Sequence, residues 1–304
     1  MDLHNSSLRD FDVRKMQPQP DTRPHYILRR YAEFTCALLI CSQASFRCID
    51  PRLQRCLSKQ QAEIENFLNR LAGQMASPVQ KLVCFINNYD LILTIFEERA
   101  TFDSKEKSSF WESQQRRINE YVDLMLRPHF GDLIAFVNEC EPLIEQGHKQ
   151  LLTSYSGARF HFNRVGTIVR SFSVNWKRSV DAVNREIVYS FTNFKNGTNI
   201  LQPPNGYEEK EAHPVFCYCD RPTAVLLFGN NRTSKHDGDS ATTGIAPIWK
   251  FQCVFQAAFT QIVQYYHRFS KVLSHEVFAE NAVLKELVNI HHIMVELKKY
   301  KPVY

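Results

Sequence analysis

The stretch NRVGTIVRSFSVNWKRSVDAVNREIVYSFTNFK, residues 163–195, decides the fold class. Its apolar residues fall at Val165, Val169, Phe172, Trp176, Val180, Val183, Ile187, Phe191 and Phe194, in steps of three or four. That spacing puts every one of them on one face of an α-helix. At about 1.5 Å per residue, such a helix runs about 50 Å. A helix that long in a chain of 304 residues implies a rod of packed helices, and Trp176 should lie in its core.

The same period recurs outward in both directions. Asp21-Thr22-Arg23-Pro24 reads as a helix start, followed by Ile27, Tyr31, Phe34, Leu38 and Cys41. Pro51 opens a run through Leu53, Leu57, Ile64, Phe67, Leu71 and Met75. Pro78 opens another through Val79, Leu82, Ile86, Tyr89, Leu93 and Phe96. A fourth run, from about Ser104 to Met125, carries Trp111, Ile118 and Tyr121; Pro128 should end it. A fifth holds Phe130, Leu133, Val137, Cys140 and Ile144 and stops near Gly147. Beyond position 256 come Phe259, Ile262, Tyr266, Phe269 and Leu273, then a last helix with Leu284, Leu287, His291 and Met294 before Pro302. About seven or eight amphipathic helices result, and they must bury their stripes on one another. The fold class is all-α, with elongated helical bundles.

Residues 203–255 break the pattern. They hold Asn230-Asn231, Lys235–Asp239 and Ala241–Gly244, and read as an irregular insert. Their apolar run Ala224–Phe228 could form a short strand, though no partner strand is evident. The domain reading is therefore a flexible N-terminal tail over 1–20, a helical-bundle domain over 21–202 plus 256–304, and an irregular insert over 203–255.

Composition narrows function. The formal net charge is +5, with 37 Lys and Arg interleaved with 32 Asp and Glu. No basic face emerges to suggest nucleic-acid binding. Residues 1–20 contain no apolar stretch, so no signal peptide is expected. The longest apolar run, Cys36–Cys41, is far shorter than a membrane span. The nine Cys lie mostly in apolar helical patterns and read as buried free thiols of a reducing compartment.

Chemistry-bearing motifs are missing. The chain has no phosphate-binding loop, dinucleotide fingerprint, nucleophile elbow or H-E-x-x-H. His213, Cys217 and Cys219 cluster, with His236 and Cys253 further on, but a single C-x-C pair is a poor zinc site. His291 and His292 point about 100° apart on a helix; the simplest reading packs His291 and solvates His292. Glu97-Glu98 and Glu208-Glu209 read as solvated pairs, and Phe172, Trp176, Phe191 and Phe194 as core. Lys298, Lys299 and Lys301 suit a helix C-terminus. No catalytic, cofactor-binding or metal-ligating residue is expected, and no cofactor.

Several strings resemble one family: Asp21–Phe34 (DTRPHYILRRYAEF), Phe85–Leu91 (FINNYDL), Phe130–Gly147 (FGDLIAFVNECEPLIEQG), Ser190–Ile200 (SFTNFKNGTNI), Gln261–Phe269 (QIVQYYHRF) and Asn289–Pro302 (NIHHIMVELKKYKP). In this order they resemble the C-terminal half of the vacuolar protein sorting-associated protein 52 family. The resemblance runs over 21–202 and 256–304. It implies the stacked helical bundles of multisubunit tethering complexes. It further implies a non-enzymatic subunit of the Golgi-associated retrograde protein complex and its endosomal recycling counterpart, which tether endosome-derived vesicles. The implied partners are vacuolar protein sorting-associated proteins 51, 53 and 54, syntaxin-type SNAREs and Rab-type small GTPases. The implied location is the cytosolic face of the trans-Golgi network and recycling endosomes, as a peripheral membrane protein, without nucleic acid.

The chain departs from the family pattern in two respects. The strings resemble only the family's C-terminal half, with no counterpart expected among these 304 residues to its coiled-coil N-terminal half, and 203–255 interrupts what the resemblance makes one helix, Asn199–Gln202 running into Gln256–Phe259. A retained intron and a genuine loop are both open origins for that stretch. Against the tethering reading stands a helical enzyme or ligand-binding bundle with a buried polar site. Converging titratable groups in one pocket would distinguish it.

Overall fold

The computed structural model describes residues 6, 8–15, 21–46, 50–99, 104–145, 155–192, 248–278 and 282–300. Seven α-helices order these residues: α1 (Tyr26–Phe46), α2 (Pro51–Ala72), α3 (Pro78–Arg99), α4 (Lys105–Glu145), α5 (Tyr155–Thr192), α6 (Ile248–Leu273) and α7 (Ile290–Lys298). Short 3-10 turns lie at Val13–Lys15, Glu276–Phe278 and Ala282–Glu286. No strand occurs among the described residues, and none of their helices is long and apolar enough to cross a membrane.

Two apolar cores lie along α4. The N-terminal core joins Leu28, Tyr31 and Leu39 of α1, Ile64 and Phe67 of α2, Tyr89 and Phe96 of α3, and Phe110 at the start of α4. The C-terminal core joins Tyr121, Phe130 and Phe136 of α4, Val169, Trp176 and Phe191 of α5, Tyr266 and Phe269 of α6, and Ile293 and Leu297 of α7. Both cores use α3: Val83 and Ile86 face the second, Cys84 and Tyr89 the first. α3 therefore has buried residues nearly all round. α4, 41 residues long, spans about 60 Å and is the spine shared by the two bundles.

The Pro128 boundary was misplaced, because α4 runs through it without a break. Pro128 removes one backbone donor and crowds the preceding turn. Its ring is exposed, while Met125, Leu126, Phe130 and Leu133 on either side are buried. The apolar stripe continues in phase across the proline, and tertiary burial outweighs the local penalty. The last predicted run shows the opposite. Leu284 and Leu287 are half-buried in and just after a 3-10 turn, and α7 begins afresh with Asn289, whose side chain accepts from His291 N–H at 2.8 Å.

The first residues also differ from the expected flexible tail over 1–20. Leu8 and Val13 are 3% exposed, and the Arg70 guanidinium donates to the carbonyls of Leu8, Arg9 (3.0 Å) and Phe11 (2.8 Å). One cation thereby bonds three carbonyls of this segment and ties it to α2. The rest of that tail lies largely outside the described residues. α6 starts eight residues before the boundary expected at 256, and Val254 and Phe255 sit in the C-terminal core. The remainder of the expected insert, 203–247, lies outside the described residues, as do Asn199–Gln202.

Trp176 is 5% exposed and stacked on Phe172 at 6.4 Å. Trp176→Ala should destabilise the chain by about 3–5 kcal/mol in urea unfolding; a loss below about 1 kcal/mol would contradict its core position. Pro128→Ala should instead stabilise by about 1–3 kcal/mol, because a helix-interior proline with no buried contacts to lose costs about 3 kcal/mol relative to alanine.

Candidate interaction surface

The family-like strings Asp21–Phe34 and Phe85–Leu91 meet in space. Asn88 on α3 accepts a hydrogen bond from His25 N–H at 2.8 Å through Oδ1. Its Nδ2 donates to the Cys84 carbonyl at 2.8 Å. Next to it, Asn87 Nδ2 donates to the Thr22 carbonyl at 2.7 Å. Both asparagines are fully buried. Asparagine usually avoids an apolar helix interior, because its amide must find partners there. Here Asn87 Nδ2 and Asn88 Oδ1 find theirs on the backbone of the segment leading into α1, and Asn88 Nδ2 finds its own on α3. The adjacent pair Asn87-Asn88 in an apolar run was the available signal, and periodicity alone had no use for it.

His25 completes the clasp. Its Nδ1 accepts from Ile27 N–H at 3.2 Å, capping the first turn of α1 just beyond the expected helix start Asp21–Pro24. Asp21 Oδ1 instead accepts from Arg23 N–H at 2.8 Å. With Nδ1 accepting, the imidazole proton sits on Nε2. The ring lies 5.1 Å from Phe67 and 4.6 Å from Tyr26. Burial disfavours the imidazolium and lowers the pKa from 6.5 to about 4.

This clasp sets the rotation of α1, and that rotation differs from the expected one. The sequence stripe was Ile27, Tyr31, Phe34, Leu38 and Cys41. The buried set is Leu28, Tyr31, Ala32, Thr35, Cys36, Leu39 and Ser42. Ile27 and Leu38 are half-buried, and Phe34 and Cys41 face outward. From Phe34 to Phe46 no residue is charged, so two faces compete on period alone. The outward face carries Tyr26 (43% exposed), Phe34 (46%) and Ile40 (41%), with exposed Ala37, Cys41 and Ala44 between them. At its N-terminal end Arg30 lies over the Tyr26 ring at 5.5 Å. Glu33 is engaged by Arg29 (3.4 Å) and Arg99 (2.9 Å). A further exposed pair, Val174 (80%) and Tyr189 (76%), lies on α5.

The residues weighed for chemistry are scattered. Cys253 is half-buried on α6, while His213, Cys217, Cys219, His236 and Glu208-Glu209 lie outside the described residues. Among the described residues no three His, Cys, Asp or Glu side chains gather as metal ligands. His291 and His292 are both exposed, because Ile293 and Leu297 supply the buried face of α7. This corrects the packed reading of His291. Trp111, expected in a stripe, is 41% exposed, and Phe110 takes the core position at 0%. Glu97 lies 4.0 Å from Lys107. Phe172 and Phe191 join the C-terminal core, Lys299 pairs with Glu296 at 2.8 Å, and Lys298 is exposed. Phe194 and Lys301 lie outside the described residues. Cys36, Cys84 and Cys140 are buried free thiols, with pKa values pushed by burial up to about 11, 12 and 11; Cys41 is exposed.

Removing the Asn88 amide strands the buried His25 N–H, so Asn88→Ala should cost about 1–3 kcal/mol in chemical unfolding. The pH dependence of stability has a definite sign. A histidine whose pKa falls on folding binds fewer protons in the folded state, so stability is full above 6.5 and declines as pH drops toward about 4. The loss should reach at most about 3 kcal/mol, and His25→Gln should flatten the slope in that window.

Comparison with known proteins finds relatives of the chain's sequence. The family model described as "Vps52, C-terminal" matches residues 1–122. The vacuolar protein sorting-associated protein 52 homolog of Caenorhabditis elegans is 35% identical over 306 residues, covering 100% of this chain and 35% of the relative. The Homo sapiens homolog is 35% identical over 302 residues, covering 99% and 33%. Vacuolar protein sorting-associated protein 52 A of Arabidopsis thaliana is 25% identical over 304 residues, covering 100% and 34%. The chain thus spans about a third of the length of the curated relatives it matches. No solved structure matches.

Proposed function

Because this chain belongs to the vacuolar protein sorting-associated protein 52 family, we propose that it is the C-terminal helical part of a vesicle-tethering subunit. It works without catalysis, by protein–protein contacts along its helices. Its pathway is retrograde transport from endosomes to the trans-Golgi network, together with endosomal recycling. Its partners are vacuolar protein sorting-associated proteins 51, 53 and 54, with syntaxin-type SNAREs and Rab-type GTPases as further contacts. It acts on the cytosolic face of those membranes and reaches them through the complex.

The observation that carries this reading is mechanical. One continuous helix, α4, enters both cores, through Phe110 near its start and through Ile118 to Cys140 along the rest. That arrangement suits a spacer that presents surfaces at a distance. Helices embedded in two cores transmit position over about 60 Å, which a string of short, loosely joined helices would not. An internal cleft lined by Leu126, Phe130, Leu133, Phe172, Ile262 and Tyr266 is apolar and has no converging acid or base to favour an enzymatic reading.

Co-precipitation of the tagged chain from its native cells should recover proteins 51, 53 and 54 together. Recovery of none of them, by a chain whose circular dichroism shows it folded and helical, would overturn the assignment to this complex.

A further inference from the structure

We propose that the outward face of α1 is a docking site for an amphipathic helix of another protein, one that carries large aliphatic side chains along one seam and a carboxylate at the end beside Arg30. The face is defined by the rotation that the His25–Asn88 clasp imposes. It does not rest on the tethering role.

Arg30, Phe34, Ala37, Cys41 and Ala44 follow one another at steps of four, three, four and three. That is the 3.5-residue seam by which one helix packs along another. All five are exposed. Ile40 (41% exposed) widens the seam on one side and Tyr26 (43%) closes its N-terminal end. A helix that is apolar nearly all round belongs in an interior, yet this one turns half of that surface to solvent. The buried face of α1 is already filled by Leu28, Tyr31, Ala32, Cys36 and Leu39, so turning the helix would only exchange one exposed apolar face for another.

Charge selects among occupants. Glu33 is shared by Arg29 and Arg99. Arg30 has the Tyr26 ring and no carboxylate partner among the described residues. Two guanidinium groups share that one carboxylate and Arg30 adds a third cation on the same stretch of helix, so this end of the seam is positive and an acidic side chain on the occupant complements it. A parallel second copy of the chain would set Arg30 against Arg30 and alanine against alanine, which repels at one end and leaves holes at the other.

The test places a photo-crosslinking amino acid at Ala37 in the full protein in its native cells, with the same group at exposed Lys59 of α2 as the reference. The expected product joins Ala37 to one other protein, within a helical segment that repeats large apolar residues at three and four and bears an acidic residue. Arg30→Glu should lower that yield about fivefold while Arg30→Lys retains it, with thermal unfolding unchanged in both. Crosslinks to lipid or to a second copy, or a yield no higher than at Lys59, would overturn the proposal. So would a yield indifferent to Arg30→Glu. If the co-precipitation above fails while this crosslink forms, only the tethering assignment falls.

Discussion

The continuity of α4 is the constraint on which the rest of the structure depends. A helix of 41 residues is stable only if something buries its faces along most of its length, because propagation adds little free energy per residue in water. α3 covers its first half, and α5 and α6 cover its second. Each bundle therefore borrows one wall from the same spine. Pro128 sits between Tyr121 and Phe136, both fully buried. A break there would separate α4's contacts with Phe191 from those with Phe269. The proline is tolerated because its ring points to solvent and the buried residues around it stay in phase.

The two bundles are built from different materials. Among the described residues, all nine buried polar or charged side chains fall between His25 and Gln114, so they belong to the N-terminal bundle. The C-terminal core, by contrast, is aliphatic and aromatic, with polar contacts at its edges, such as Arg268 to Glu141 and Asn138. Apolar contacts are non-directional and tolerate small slips. Hydrogen bonds inside a core specify one arrangement, because a displaced partner leaves a buried group unpaired. Gln54 to Glu106 at 2.6 Å and Gln61 to Ser109 at 2.7 Å set α2 against α4. Asn88 to His25 sets α1 against α3. The end with the outward apolar face is thus the end whose geometry is pinned by directional bonds. An exposed face of fixed rotation is a usable surface.

The sequence by itself determined the class of structure and most of the buried faces. The 3.6-residue period is a local property, and where a helix has one apolar stripe the period names its core. α2, α3, α5 and α6 bury most of the residues the period assigned: Leu57, Ile64 and Phe67; Ile86, Tyr89 and Phe96; Val165 through Phe191; and Phe259 through Leu273, with Leu53, Val79, Leu82 and Phe172 half-buried. The strings that carried the family resemblance were equally legible, because each is contiguous.

Only the tertiary structure decided the rest, and each case shares one physical reason. The rotation of α1 was ambiguous because two of its faces are apolar, and the choice rests on bonds to Asn88 across 63 positions of sequence. Passage through Pro128 depended on what α3, α5 and α6 bury against α4. Docking of residues 8–15 depended on Arg70, about sixty residues away. In each, a local preference of a few kcal/mol met a burial or hydrogen-bond term supplied by distant residues. A linear period contains the first quantity and none of the second.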